Sequence, residues 1–246
     1  MQHPVLEICA FGIQTCIIAE RAGAVRVELC DNPIEGGTTP SYGAIKTVRD
    51  KISIALYPII RPRSLNYFYD ADEWEIMKQD VLMCKQLQCD GISVGIQLQN
   101  GEVDTDRMKR LVELAYPMGV TSNRVIDAAP DPFKALEQLI DAGCERVLTS
   151  GQAATAPEGA SILRQLIEQA NGRIRIMPGA GVNSSNIVAL YAATGATEFH
   201  TSARVAVPNT VAYTNPQVTD SGNMYVANEA EVARIVQLLN GIELPR

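Results

Sequence analysis

Ala22-Gly23-Ala24-Val25-Arg26-Val27-Glu28 returns in pattern as Ala142-Gly143-Cys144-Glu145-Arg146-Val147-Leu148 and again, more loosely, as Thr194-Gly195-Ala196-Thr197-Glu198-Phe199-His200. In each copy a glycine closes a helical pattern and an apolar stretch opens a strand. Glycine has no Cβ and enters the left-handed region at little cost, which is how many helices end. A joint written three times predicts a chain of repeated helix-to-strand units. If the copies are geometrically equivalent, Glu28, Leu148 and His200 share one register, and Cys30, Ser150 and Ser202 share the next position on the same face.

Outward from these joints, apolar runs alternate with helical patterns along the whole chain. Strands are predicted at 6–9, 27–29, 54–60, 91–95, 120–123, 146–149, 173–177 and 198–201. Stripes with a 3.6-residue period fall between or after them, as at 74–87, 107–115, 133–140, 187–193 and 229–239. Pro40-Ser41, Asp131-Pro132, Asn183-Ser184 and Asn228-Glu229 supply N-caps or a first-turn proline. Eight strands each followed by a helix is the count of the α/β TIM (β/α)8 barrel, and 246 residues suit a single domain of that kind. The segment 205–227, rich in Asn, Thr, Pro and Gly, is too long for a plain connection and is expected on the catalytic face. A lid, a subunit contact and an unstructured loop are all open readings of it.

The net charge of -7 and a pI near 5.0 disfavour a nucleic-acid partner, which needs clustered Lys and Arg. Six cysteines without CxxC spacing read as reduced thiols, and no long apolar run suggests a membrane span, so a cytoplasmic location is expected.

Barrel sites are built from strand C-termini and the loops that follow them. Leu6-Glu7-Ile8-Cys9 and Val27-Glu28-Leu29-Cys30 repeat one pattern on neighbouring strands, so a carboxylate and a thiol share a face on each. Glu7 and Glu28 are candidates for proton transfer, with His200 as a further acid or base and Asp127 as an orienting partner. Cys9 and Cys30 are candidate Cu(I) ligands or small buried hydrophobes, and Met177 is a conceivable third soft donor. Gly179-Ala180-Gly181, with Ser150 and Ser202 on the flanking strands, reads either as an anion cradle or as a tight turn. Arg61, Arg124 and Asn123 would hold an anion, although either arginine could instead neutralise a buried glutamate. Only His3 and His200 are present, which excludes histidine-rich zinc hydrolases, and none of the six lysines ends a strand, which disfavours a Schiff-base aldolase.

Six segments together resemble the CutC family of copper homeostasis proteins. They are Leu6-Glu7-Ile8-Cys9, Arg26-Val27-Glu28-Leu29-Cys30, Glu35-Gly36-Gly37-Thr38-Thr39-Pro40-Ser41, Pro58-Ile59-Ile60-Arg61-Pro62-Arg63, Arg146-Val147-Leu148-Thr149-Ser150-Gly151 and Pro178-Gly179-Ala180-Gly181-Val182. The resemblance implies a cytosolic TIM barrel, a homodimer or higher homo-oligomer, with a role in copper tolerance or trafficking through Cu(I) held by Cys9 and Cys30. Two positions depart from the family pattern. Asn123 stands where the family carries a histidine after strand five, and Ala10 stands where some members carry a second cysteine. An enzyme acting on a small phosphorylated or sugar-like anion is the alternative that the pocket residues themselves suggest.

Overall fold

The computed structural model describes residues 3–213, 215, 217 and 223–244. Its strands are β1 (Val5–Ala10), β2 (Arg26–Leu29), β3 (Ala55–Ile60), β4 (Gly91–Val94), β5 (Gly119–Ser122), β6 (Arg146–Thr149), β7 (Arg175–Pro178) and β8 (Glu198–Thr201). Between them run α1 (Ile13–Arg21), α2 (Tyr42–Arg49), α3 (Ala71–Gln86), α4 (Thr105–Ala115), α5 (Pro132–Asp141), α6 (Ala160–Ala170) and α7 (Ile187–Thr194), and α8 (Glu229–Asn240) follows the last strand. The eight strands are parallel in the order β7-β6-β5-β4-β3-β2-β1-β8, with β7 beside β8 to complete the ring. This is the predicted TIM barrel.

The helix-to-strand joints behave as the repeat demands. Gly23, Gly143 and Gly195 all have positive φ, and β2, β6 and β8 each begin three residues after their glycine. Helix starts follow from their caps: Ser41 accepts from the Ala44 N–H, Asp131 from Phe133 and Lys134 ahead of Pro132, and Asn228 from Glu231. One start differs from expectation. The stretch at Asn183-Ser184 forms a turn, and α7 opens only at Ile187, because the Asn183 and Asn186 side chains bond to backbone N–H groups within that turn.

Alternation within each strand separates two interiors. Leu6, Ile8, Val27, Leu29, Leu56, Ile60, Ile92, Val94, Val120, Val147, Ile176 and Phe199 belong to the apolar layer between sheet and helices. The intervening positions face the barrel axis and are largely polar: Glu7, Cys9, Arg26, Glu28, Ser93, Thr121, Arg146, Glu198 and His200. This barrel thus packs its outer face with hydrophobic side chains and, unlike a typical parallel barrel with an apolar interior, keeps many charged and polar groups on its axis.

The segment at 205–227 is not a plain loop at its ends. β9 (Arg204–Val207) and β10 (Met224–Ala227) pair antiparallel as a two-stranded ribbon beside the mouth. Residues 214, 216 and 218–222 of that segment lie outside the described residues.

Candidate functional site

Parallel pairing sets Glu7 level with Arg26 on one side and His200 on the other, and Cys9 level with Glu28. The side chains meet accordingly. Glu7 accepts from Arg26 Nε and, through Oε1, lies 2.7 Å from His200 Nδ1. The opposite ring nitrogen, Nε2, is 3.7 Å from Glu28 Oε2. Cys9 and Cys30 bring their sulfurs to 3.8 Å, and one donor atom each from Cys9, Glu28 and Cys30 lies within 4.8 Å of the others. Among the described residues this is the one such cluster that could grip a metal ion.

The charges in this group are ordered by their neighbours. Burial alone would raise the Glu7 pKa, but the Arg26 charge and the His200 hydrogen bond bring it down to about 2. Burial also disfavours the His200 cation, yet hydrogen bonds to Cys9 and Glu7 and the charges of Glu28 and Glu7 hold its proton well above the usual histidine range. Burial pushes Glu28 up to about 8, helped by the nearby Cys9 charge. A hydrogen bond from Cys30 draws the Cys9 thiol down to about 5 against burial, with His200 assisting, while Cys30 itself is raised. Near neutral pH the site therefore presents a thiolate, an imidazolium and a carboxyl group close to its titration point.

Beneath this layer sits an ionic plug that the joint repeat could have revealed. Arg26, Arg146 and Glu198 occupy the same place in the three copies of the joint, and in the barrel they converge. Glu198 accepts from Arg26 Nη2 at 2.6 Å and from Arg146 Nε at 2.5 Å. Both guanidinium groups lie over the Tyr57 ring, whose hydroxyl donates to Glu145 at 2.7 Å. Tyr57 fits across the axis because β4 and β5 open with Gly91 and Gly119, where any Cβ would overlap it. Met177 belongs to this plug, its sulfur 3.4 Å from Arg26 Nη2, and is not part of the cysteine cluster.

Above the cysteines opens a cavity of about 730 Å3, the size of an ordinary small-molecule site. Cys9, Glu28, Leu148 and His200 are part of its floor, so the register expected for Glu28, Leu148 and His200 brings those three to one cavity. Asn123, Arg124, Gly181 and Ser202 stand on its walls. Asp127 lies behind them as a positioning group: it accepts from Arg124 Nε, the Thr149 hydroxyl, and the Ser150 and Gln152 N–H groups. Arg124 Nη2 donates to the Ser150 hydroxyl at 2.7 Å. Ser150 is fully buried and supports the wall without reaching the cavity.

Three expectations for an anion cradle are corrected here. Arg61 is buried away from the cavity, donating from Nη1 to the carbonyls of Glu35 and Gly37 and stacking on Tyr67, so it pins the loop after β2. Gly179 lies below the rim, packed against Leu148 and His200 so closely that a Cβ would clash. The late start of α7 and Glu231 together remove a helix N-terminus as an anion site, because the Glu231 carboxylate accepts from the Ser184 N–H at 2.7 Å and its hydroxyl at 2.8 Å.

The model of the CutC family matches residues 4–205 of the chain. A CutC family protein of Chromobacterium violaceum is 52% identical over 209 residues, 85% of each chain. Another from Xanthomonas campestris pv. campestris is 46% identical over 235 residues, 95% of this chain and 98% of that one. Among solved structures, a Streptococcus agalactiae protein described as a copper homeostasis protein CutC matches with a TM-score of 0.77 at 32% identity, over 81% of this chain and 98% of its own. N-(5'-phosphoribosyl)anthranilate isomerase from Pyrococcus furiosus matches at a TM-score of 0.61 and 12% identity, over 98% of this chain and 100% of its own, a likeness of fold alone.

Proposed function

The chain belongs to the CutC family, and from that membership and the paired sulfurs at the barrel mouth we propose that it binds Cu(I) through Cys9 and Cys30 and serves in copper tolerance or trafficking. The observation that carries this function is the 3.8 Å separation of the two sulfurs, with a Glu28 oxygen in the same cluster. Soft thiolates favour Cu(I), which accepts few ligands. Neighbouring His200, whose proton the surrounding carboxylates and Cys9 favour, stands outside the donor cluster of Cys9, Glu28 and Cys30. A reducing compartment such as the cytoplasm, where these thiols stay free, fits the same function.

Anaerobic titration against a chromophoric Cu(I) chelator tests it. One ion per chain is expected, and Cys9→Ser with Cys30→Ser should abolish uptake. Uptake unchanged in the double variant, or none in the wild type, would sink the proposal.

One observation favours a second function. Cys9 and Glu28 face the same cavity with protonation states pushed in opposite directions, as an acid and base pair requires. Under this alternative an enzyme moves a proton on a small anionic, phosphorylated or sugar-like compound held by Arg124 and Asn123. Mass spectrometry of whatever small molecule co-purifies, followed by turnover in Glu28→Gln, tests it: an anionic compound turned over by wild type and not by the variant is the expected result.

A further inference from the structure

Two features of the mouth remain unused once an ion is set between Cys9 and Cys30. The cavity of about 730 Å3 is far larger than an ion needs, and Asn123 on its wall, 3% exposed, has a buried Nδ2 with no hydrogen-bond partner among the described residues. Resting on the Cu(I) function above, we propose that this cavity docks a small anionic thiol, which delivers Cu(I) to the cysteine pair and remains as the third ligand of the ion.

The sulfur geometry leaves a place for that ligand. With each metal–sulfur bond at about 2.3 Å, sulfurs 3.8 Å apart subtend about 110° at the ion, well short of a linear pair. One side of the ion is open, and it faces the cavity that Cys9 and Glu28 line. A third thiolate suits Cu(I) better than the hard carboxylate of Glu28.

Access dictates that the carrier is small. Cys9 lines the cavity floor and Cys30, 4% exposed, lies behind it, so the pair is beyond the reach of ligands fixed on the surface of a folded donor. The walls dictate its charge. Asn123 Oδ1 is committed to the Val125 N–H, which turns Nδ2 to the other side of the amide, and Gly95 leaves the room that the side chain occupies. Beside it, Arg124 is held by Asp127 through Nε and by Ser150 through Nη2, and among the described residues its Nη1 has no partner. Arg204 also lines the cavity, anchored to the Pro33 carbonyl. Asn123 and Arg124 both line the cavity, and an amide N–H together with a guanidinium N–H suits the two oxygens of a carboxylate.

Transfer is a ligand exchange in which copper stays Cu(I). From a two-thiolate donor complex, one cysteine bond replaces the bond to one donor thiolate, which departs with any proton that a protein thiol releases, and the other cysteine adds to the ion. The carrier keeps one sulfur bond and completes a three-sulfur set.

Cu(I) complexes of glutathione and of cysteamine, an anionic and a cationic thiol, provide the test on the whole chain. Uptake from the glutathione complex should saturate with its concentration, and X-ray absorption should count three sulfurs around copper with glutathione present and two after it is washed out. Arg124→Ala and Asn123→Ala should each raise the half-saturating glutathione concentration about tenfold. Arg124→Lys, which keeps the charge, covers the case in which Arg124→Ala fails to fold, and should lie between the two. Equal uptake from both thiols, or two sulfurs throughout, would overturn the docking proposal while leaving the Cu(I) function standing. A wild-type protein that takes up no Cu(I) from any donor would overturn both.

Discussion

Replacing Glu7 by glutamine removes the charge on which two cations of the barrel axis, Arg26 and His200, converge. The wild-type carboxyl is 2% exposed; burial would raise its pKa, yet Arg26 and His200 bring it from 4.5 to about 2. That displacement corresponds to about 3 kcal/mol of stability, and removal of one partner from a buried ion pair costs about 3–5 kcal/mol on independent grounds. Because the folded pKa is depressed, the contribution is present in full above about pH 4.5 and fades as pH falls toward 2. Urea unfolding of wild type and Glu7→Gln at pH 7 should therefore show a gap of about 3 kcal/mol, or roughly 1 M in midpoint at a slope of about 3 kcal/mol per molar. At pH 3 the wild type has already lost part of this stability, and the gap should shrink to about half. A parallel readout comes from the His200 ring, one of two histidines in the chain, whose pKa should fall in the variant because one carboxylate holding its proton is gone. A gap below about 1 kcal/mol at pH 7, or one equally large at both pH values, would refute the ionic account of the barrel axis.

The plug beneath the site makes its own prediction. Gly91→Ala sets a Cβ into the Tyr57 ring and should cost about 1–3 kcal/mol in urea unfolding; an unchanged midpoint would mean that the ring has room to move. Cys9 should react with iodoacetamide along a pH profile whose midpoint lies near 5 in wild type and moves upward in Cys30→Ala, since the Cys30 hydrogen bond is the largest influence holding its pKa down from 9.0. Mass spectrometry of the alkylated peptide gives the profile, and a wild-type midpoint close to 9 would contradict the assigned order of protonation.

Much of the fold was legible in the chain because a parallel barrel repeats a local rule. The strands at 146–149 and 198–201 coincide with β6 and β8, and most other boundaries shift by a residue. Glycine at the joints and Ser41, Asp131 and Asn228 at helix starts act through bonds to residues two or three positions away, so sequence suffices to place them. Asn183 misled for the same reason: its local bonds made a turn and delayed α7 until Ile187.

For the site, alternation put Glu7 with Cys9, and Glu28 with Cys30, on a shared face of their strands, whereas the plug of Arg26, Arg146 and Glu198 emerged only when the barrel brought those equivalent joint positions together. What the sequence by itself determined about this protein is thus its family, its barrel and the parity of each inward side chain, all consequences of period two in strands and of short-range capping. Tertiary structure decided the rest: that Arg61 turns to a loop, that Glu231 takes the Ser184 N–H, that one histidine sits between two glutamates, and that two sulfurs lie 3.8 Å apart. Those outcomes depend on the stagger between strands and on side chains far apart in the chain competing for the same buried partners, and no local pattern records which of them wins.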